Sequence, residues 1–82
     1  MKIELSGKAI SNLKKFPVAE RKKIFKKLHL LENDPRAGKK LTGELTGLFS
    51  LKAWPYRIIY QLISKQKIIY IITIQHRQSV YK

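Results

Sequence analysis

The stretch of sequence that is most informative about the fold lies near the end of the chain, where residues 56–75 read YRIIYQLISKQKIIYIITIQ. Isoleucine and tyrosine, which are both favoured in strands, dominate the two runs 56–63 and 67–75. The connection between these runs is short enough for an antiparallel hairpin. Residues 68–72 are apolar on both faces, which predicts that the last strand has neighbours on both sides.

Two helices are predicted ahead of these strands. Ser6 is placed to cap the first helix, which Pro17 ends. Because proline suits the first turn of a helix, the second helix follows directly and runs over residues 18–33. Asp34 precedes Pro35 and so disfavours helical geometry, which closes the second helix at that point.

Both helices show an apolar face at helical period. The apolar positions are Ala9, Ile10, Leu13 and Phe16 in the first helix and Ile24, Phe25, Leu28 and Leu31 in the second. The opposite face of the second helix carries a run of basic residues, Arg21, Lys22, Lys23, Lys26 and Lys27. We therefore predict an antiparallel helical hairpin with an apolar seam and a basic back.

The order of these elements predicts an α+β fold. Further strands are predicted at residues 2–5 and 48–53, with a loop over residues 36–47 that glycines punctuate. The order is then β-α-α-β-β-β, with the helical hairpin packed on one face of a curved, mainly antiparallel sheet. At 82 residues, the chain is expected to form one small domain over residues 1–82.

The charge of the chain is strongly unbalanced. Eighteen lysines and arginines stand against 5 acidic residues, for a formal net charge of +13. Such self-repulsion calls for a polyanionic partner or for screening by solvent, and we expect nucleic acid or an acidic protein before a membrane. There is no apolar run near the length of a membrane span, and the N-terminus lacks the apolar segment of a signal peptide. We expect a cytoplasmic protein with no membrane contact.

The side chains that carry chemistry exclude several kinds of site. Cysteine is absent and the two histidines, His29 and His76, are far apart in the sequence, so we expect no metal site and no cofactor. The loop glycines do not form a phosphate-cradling motif. Catalysis would then rely on arginine, lysine, histidine and tyrosine, a set that suits cleavage of RNA without a metal.

Such cleavage is the attack of a ribose 2′-OH on the adjacent phosphate, which requires a base, an acid and positive charge. Arg57 and Arg77 suit the charge, because guanidinium is a rigid fork of donors matched to phosphate oxygens. His76 is a candidate base, since imidazole titrates nearest to neutral pH. Tyr81 and Lys52 are further candidates if surrounding positive charge helps them to lose a proton. The residues alone leave open which of them acts in which step.

Other side chains are candidates for binding the RNA strand. The candidate phosphate contacts are Lys22, Lys23, Lys26, Lys27, Lys39 and Lys40. Trp54 is a candidate for stacking on a base. The sequence is also consistent with a solvated lysine face, with a simple turn at Trp54-Pro55, and with Tyr81 packing against the sheet.

Three passages of the chain form a recognisable pattern. They are Leu41-Thr42-Gly43 followed by Leu48-Phe49-Ser50-Leu51-Lys52, then Tyr56-Arg57-Ile58-Ile59-Tyr60, then the closing His76-Arg77-Gln78-Ser79-Val80-Tyr81. Together with the two helices at the start, this pattern resembles the RelE/ParE superfamily of toxins from bacterial and archaeal toxin–antitoxin pairs. The resemblance covers nearly the whole chain.

The resemblance implies roles for particular residues. RelE-like catalysis uses a strand arginine that matches Arg57, an arginine at the end of the last strand that matches Arg77, and a following tyrosine that matches Tyr81. A lysine ahead of the arginine strand matches Lys52, and His76 falls where relatives carry lysine or histidine.

The sequence departs from RelE at Ser50, where RelE carries a second basic residue. This departure bears on which group serves as the base.

The resemblance also implies what the protein does. RelE-type members cut mRNA in the ribosomal A site, whereas ParE-type members poison DNA gyrase. Our leading hypothesis is a toxin that cleaves mRNA on the ribosome as a metal-independent endoribonuclease and is neutralised by an acidic antitoxin. The alternatives are a ParE-like gyrase inhibitor and a catalytically inactive toxin homologue that binds only RNA or an antitoxin.

Overall fold

The structure, a computed structural model, describes residues 1–76. Two helices, α1 (Gly7–Lys15) and α2 (Val18–Asn33), cover one face of a five-stranded sheet. The strands are β1 (Lys2–Leu5), β2 (Lys39–Lys40), β3 (Leu48–Ala53), β4 (Tyr56–Ile63) and β5 (Ile68–His76). The predicted α+β class is confirmed, and so is the order of the helices and of the four longer strands.

The sheet has the strand order β1-β5-β4-β3-β2. Strands β3, β4 and β5 form an antiparallel meander, and β2 adds to the outer edge of β3. Strand β1 pairs with β5 in parallel, with Lys2 opposite Ile68. The sheet is therefore mainly antiparallel, and β5 has a strand on each side, as its apolar sequence predicts.

The segment predicted as a loop over residues 36–47 contains the short strand β2. Lys39 pairs with Ser50 and Lys40 with Phe49, and the Leu41 N–H donates to the Leu48 carbonyl at 2.9 Å. Two exposed lysines give no strand signal of their own, because this pairing uses only backbone groups at the edge of β3. A 3₁₀ turn at Gly43–Leu45 completes the segment.

The ends of the helices follow the residues predicted to set them. The Ser6 side chain accepts a hydrogen bond from the Ala9 N–H at 3.0 Å, which is the expected N-cap of α1. Helix α1 stops before Pro17, and α2 starts at the next residue. The Asp34 N–H donates to the Leu30 carbonyl at 2.9 Å and closes α2.

The core lies between the helices and the sheet. Helix α1 packs on β5, and α2 packs on β3. The buried residues of the two helices are Ala9, Leu13, Ile24, Leu28 and Leu31. The prediction that Ile10 and Phe25 belong to this apolar face is wrong, because their exposed fractions are 43% and 51%. Each stands next to a fully buried residue in sequence, so the 100° step of the helix turns it to the flank.

Tyr60 is the polar group at the centre of this core. Its side chain is fully buried, and its hydroxyl donates to the Pro35 carbonyl and accepts from the Gly38 N–H, both at 2.9 Å. Burial raises the pKa of Tyr60, an effect that the bond from Gly38 opposes and that Asp34 increases. A Cβ on Gly38 would lie 2.5 Å from the Tyr60 hydroxyl oxygen, so only glycine allows this close approach. Tyr60 thus fixes the segment that leads into β2.

We predict that Tyr60→Phe destabilises the protein by about 1 to 3 kcal/mol, because it leaves two part-buried backbone groups without their partner. The measurement is the free energy of unfolding in urea. Tyr70→Phe is the matched control: Tyr70 is only half-buried and should change stability by less than about 0.5 kcal/mol. Equal effects of the two substitutions would contradict this role of Tyr60.

Candidate active site

A row of polar side chains crosses the sheet on the face opposite the helices. Along β3 and β4, buried core residues alternate with Lys52, which is exposed, and Arg57, which is half-buried. Lys52 is paired directly with Arg57, and Arg57 is paired with Gln75 on β5. Paired residues on one face of a sheet have Cβ atoms about 4.5 to 5.5 Å apart. We call Lys52, Arg57 and Gln75 the cross-strand row.

A basic cleft opens beside this row, at the edge of the sheet where β2 begins. Its volume is about 440 Å³, and it is lined by Lys27, Ala37, Lys39, Ser50, Leu51, Lys52 and Arg57. The four cationic side chains come from four different elements, α2, β2, β3 and β4. None of the described residues that line the cleft is acidic. The cleft is therefore suited to hold an anion such as a phosphate.

The walls of the cleft are held by backbone contacts. The segment before β2 is fixed through Pro35 and Gly38, which bind the Tyr60 hydroxyl, and the Ala37 N–H donates to the Asp34 carbonyl at 3.1 Å. The pairing of β2 with β3 then places Lys39 beside Ser50. These contacts thus set the position of the Lys39 backbone before any ligand binds.

The structure brings together two of the five predicted catalytic residues, Lys52 and Arg57. His76 is paired with Tyr56, and its ring stands edge-on to the Tyr56 ring with 5.5 Å between centroids. Tyr56 is buried against Phe16 on the helix side, so His76 lies across the sheet from Arg57. Burial, and then the charge of Glu20, raises the pKa of Tyr56. Arg77 and Tyr81 lie outside the described residues.

The lysines predicted to bind RNA divide among several surfaces. Lys27 and Lys39 line the basic cleft. Lys22 and Lys26 border a second, more open cleft on α2, whereas Lys40 borders a third one beside the 3₁₀ turn. Lys23, which is exposed, lies 3.6 Å from the partly exposed carboxylate of Glu20.

Trp54 lies at the turn between β3 and β4. Its exposed fraction is 67%. The simple turn predicted at Trp54-Pro55 is confirmed. Stacking of the exposed Trp54 ring on a base stays a prediction.

An apolar groove lies between the two helices, and the sequence analysis did not predict it. Its volume is about 300 Å³, and Ile10, Val18 and Phe25 are partly exposed along it. Basic side chains border the same groove: Lys14, Arg21 and Lys22. The apolar period of the helices predicts that these residues lie near the core, but it does not predict an accessible groove between the helices.

Sequence reasoning also missed Gln75 and gave Ser50 no part in the site. Both come to the site through strand pairing: Gln75 stands opposite Arg57, and Ser50 lines the basic cleft. A register between strands cannot be read from one strand alone, so no signal in the sequence marks Gln75. The sequence marks Ser50 only as a departure from RelE.

Within residues 1–76, histidine, aspartate and glutamate do not gather in groups of three or more that could hold a metal ion. His29 lies 3.6 Å from Glu32, within α2. Neither helix in the same range is long and apolar enough to cross a membrane.

The chain is similar to toxins of type II toxin–antitoxin systems. Residues 3–81 match the family described as "ParE toxin of type II toxin-antitoxin system, parDE". Among curated proteins, the chain is similar to Toxin RelG of Mycobacterium tuberculosis, with 34% identity over 53 residues. That match covers 63% of this chain and 61% of the relative, so it spans less than two thirds of the relative's length.

Solved structures with the same fold include two RelE-type proteins. One is the toxin–antitoxin complex RelBE2 of Mycobacterium tuberculosis, with a TM-score of 0.86, 27% identity and coverage of 93% of this chain and 96% of that one. The other is the isolated RelE toxin of E. coli, with a TM-score of 0.78, 22% identity and coverage of 98% and 95%. These matches confirm the predicted RelE-like fold.

We predict that the basic cleft binds single-stranded RNA through phosphate contacts. Lys52→Ala should weaken binding and reduce the slope of log K against log salt by about 0.7, the value for one phosphate contact on a single strand. The measurement is fluorescence anisotropy of a labelled oligonucleotide between low and moderate salt. Lys65→Ala removes the same charge at the far end of β4 and should change the slope less. An unchanged slope in Lys52→Ala would contradict the prediction.

Proposed function

The chain belongs to the ParE toxin family of type II toxin–antitoxin systems, and on that premise we propose that it is a RelE-type endoribonuclease. It is a toxin of the RelE/ParE superfamily. In our proposal it cleaves mRNA on the ribosome without a metal and so inhibits translation. This places its action in the cytoplasm.

The observation that supports this proposal best is the basic cleft. Lys27, Lys39, Lys52 and Arg57 converge there around a volume large enough for a phosphate and its neighbouring sugar. In the attack of a 2′-OH on phosphate, negative charge grows on the phosphoryl oxygens. Preorganised cations aimed at that charge stabilise the transition state more than the ground state.

The proposed reaction forms one bond and breaks one. The 2′ oxygen bonds to phosphorus while the bond from phosphorus to the 5′ oxygen breaks, which leaves a 2′,3′-cyclic phosphate and a free 5′-OH. The proton of the 2′-OH passes to a base, and an acid returns a proton to the 5′ oxygen. No water, metal or redox partner is consumed, so the residues of the chain and of the ribosome suffice.

The proposed roles follow the positions of the side chains. Arg57 contacts the phosphoryl oxygens as a fixed charge, because guanidinium is a rigid fork of donors matched to phosphate oxygens. Lys52 lies beside it and is better placed to exchange a proton at the reacting ribose than His76, whose ring packs against Tyr56. Arg77 and Tyr81 keep the roles that the resemblance implies, as a second phosphate contact and as a proton donor or acceptor.

Inhibition of DNA gyrase is the second candidate function. It is favoured by the matched family itself, which is described by the ParE toxin. Fold does not fix function, and a gyrase inhibitor would share all the elements described above. It would have no need of a cleft that gathers four cations around a phosphate-sized volume.

We also propose that an acidic antitoxin binds this chain. Solved structures of the same fold include toxin–antitoxin complexes from Mycobacterium tuberculosis and E. coli. A net charge of +13 favours an acidic partner for association and specificity. The apolar groove with its border of Lys14, Arg21 and Lys22 would fit an amphipathic acidic helix of that partner.

We predict that Arg57→Ala lowers ribosome-dependent mRNA cleavage by about 100-fold or more, the usual cost of losing one preorganised group at a developing charge. The measurement is primer extension on a reporter mRNA in a reconstituted translation mixture. The cleavage rate of Arg57→Lys should lie between those of wild type and Arg57→Ala, because lysine keeps the charge but lacks the fork of donors. Arg21→Ala, which removes an arginine from the helix side, should cleave like wild type.

Three outcomes separate the hypotheses. Cleavage that persists in Arg57→Ala would contradict the proposed site. A well-folded wild type that cuts no mRNA but inhibits gyrase supercoiling would replace the ribonuclease by the gyrase inhibitor. A wild type that does neither but binds RNA would favour the inactive homologue.

A further inference from the structure

Strands β4 and β5 change register at one point. Tyr60 is paired with Ile71, but the preceding residue, Ile59, is paired with Thr73. Ile72 is therefore an extra residue in β5, which is the definition of a β-bulge. From there to its end, β5 is shifted by one residue relative to β4.

The bulge decides which side chain stands beside Arg57. Side chains alternate between the faces of a sheet, so a shift of one residue exchanges the faces of all residues that follow. With the bulge, Gln75 is opposite Arg57, and Ile74 is buried in the core with 1% exposure. Without it, Ile74 would stand opposite Arg57 and Gln75 would face the helices. The bulge thus puts an amide, in place of an isoleucine, into the cross-strand row.

Helix α1 and its N-cap residue supply the groups that hold the bulge. The Asn12 Oδ1 atom accepts hydrogen bonds from the Thr73 hydroxyl at 3.1 Å and from the Ile74 N–H at 3.0 Å. Ser6 binds the other side, since its N–H donates to the Ile71 carbonyl and its hydroxyl donates to the Ile72 carbonyl. Strand β1 ends at Leu5, so these contacts replace the missing partner strand along this part of β5.

We propose that Gln75 contacts a nucleobase of the bound RNA and that Asn12 positions it through the bulge, an inference that rests on the proposed function. Lysine and arginine of the basic cleft bind phosphates, and phosphate contacts carry no sequence information. The glutamine amide offers a donor and an acceptor together, which is what reading the edge of an unstacked base requires. Because Gln75 neighbours Arg57 on the same face, it reaches the base that adjoins the bound phosphate.

The chemistry of the amide favours adenine. Glutamine can donate to adenine N7 and accept from its N6 amino group in a bidentate pair, which discriminates by about five-fold or more against a base that cannot form it. Cytosine and uracil have no N7 and lack that combination of groups on the corresponding edge. They could meet the amide only through their Watson–Crick edges, so the adenine preference requires that Gln75 faces the N7 edge of the base. The predicted ligand is therefore a single-stranded RNA with adenine beside the phosphate in the basic cleft.

The test measures binding and does not require cleavage. Fluorescence anisotropy compares labelled 2′-O-methyl hexanucleotides of adenine, cytosine and uracil, which lack the attacking hydroxyl. Wild type should bind the adenine probe about five-fold or more tightly than the others. Gln75→Leu, which keeps the size and removes the amide, should reduce this ratio to under about two-fold with little change in binding to the uracil probe. Gln61→Leu, an exposed glutamine further along β4, should keep the wild-type ratio.

Two variants of Asn12 test its positioning role. Asn12→Asp keeps an oxygen that can accept both hydrogen bonds and should retain the adenine ratio. Asn12→Ala loses them and should reproduce the loss seen in Gln75→Leu, whereas a purely structural role would weaken all three probes alike. If Asn12→Ala fails to fold, Thr73→Val removes one of the two bonds and should lower the ratio in part.

The outcomes also separate this inference from the proposed enzyme. An adenine preference that disappears in Gln75→Leu supports it, even if the wild type cleaves no mRNA. Equal affinity for the three probes, no measurable binding, or a preference that survives in Gln75→Leu would overturn it. An Asn12→Ala variant with the wild-type ratio would overturn the role of Asn12.

Discussion

The strict alternation of side chains along β4 is the constraint on which the rest of the structure depends. Tyr56, Ile58 and Tyr60 are buried against the helices, so Arg57 must face the other side of the sheet. A charged group between buried neighbours would be costly on the core face unless it were paired. The position of the arginine is therefore a consequence of the core. The same strand carries Tyr60, which fixes the segment leading to Lys39.

Most of the secondary structure could be predicted because its signals are local. Ser6, Pro17 and Pro35 set the helix ends by their own geometry, and the aromatic and β-branched runs give the three long strands. Strand β2 could not be predicted, since Lys39 and Lys40 join the sheet only through backbone pairing with β3. The exposed positions of Ile10 and Phe25 also escaped prediction, because the apolar face read from the helical period is wider than the part of each helix that is buried.

The site was predictable only in part, for a related reason. Lys52 and Arg57 belong to a recognisable passage, but their meeting with Lys27 depends on how α2 lies over β3. Gln75 was hidden because the run before it is almost entirely apolar: such a strand has no alternation from which a bulge could be read. The roles of Arg77 and Tyr81 stay predictions from the resemblance.

The central claim is that the basic cleft promotes attack by a ribose 2′-OH. The most direct measurement uses ribosomes loaded with an mRNA that carries a single 2′-deoxynucleotide at the position that is cut in the all-ribose mRNA. The chemical nature of the 3′ ends formed on each mRNA is then determined. Our account predicts a 2′,3′-cyclic phosphate from the all-ribose mRNA and no cut at the deoxy position. Cleavage at that position, or a product without the cyclic phosphate, would contradict it.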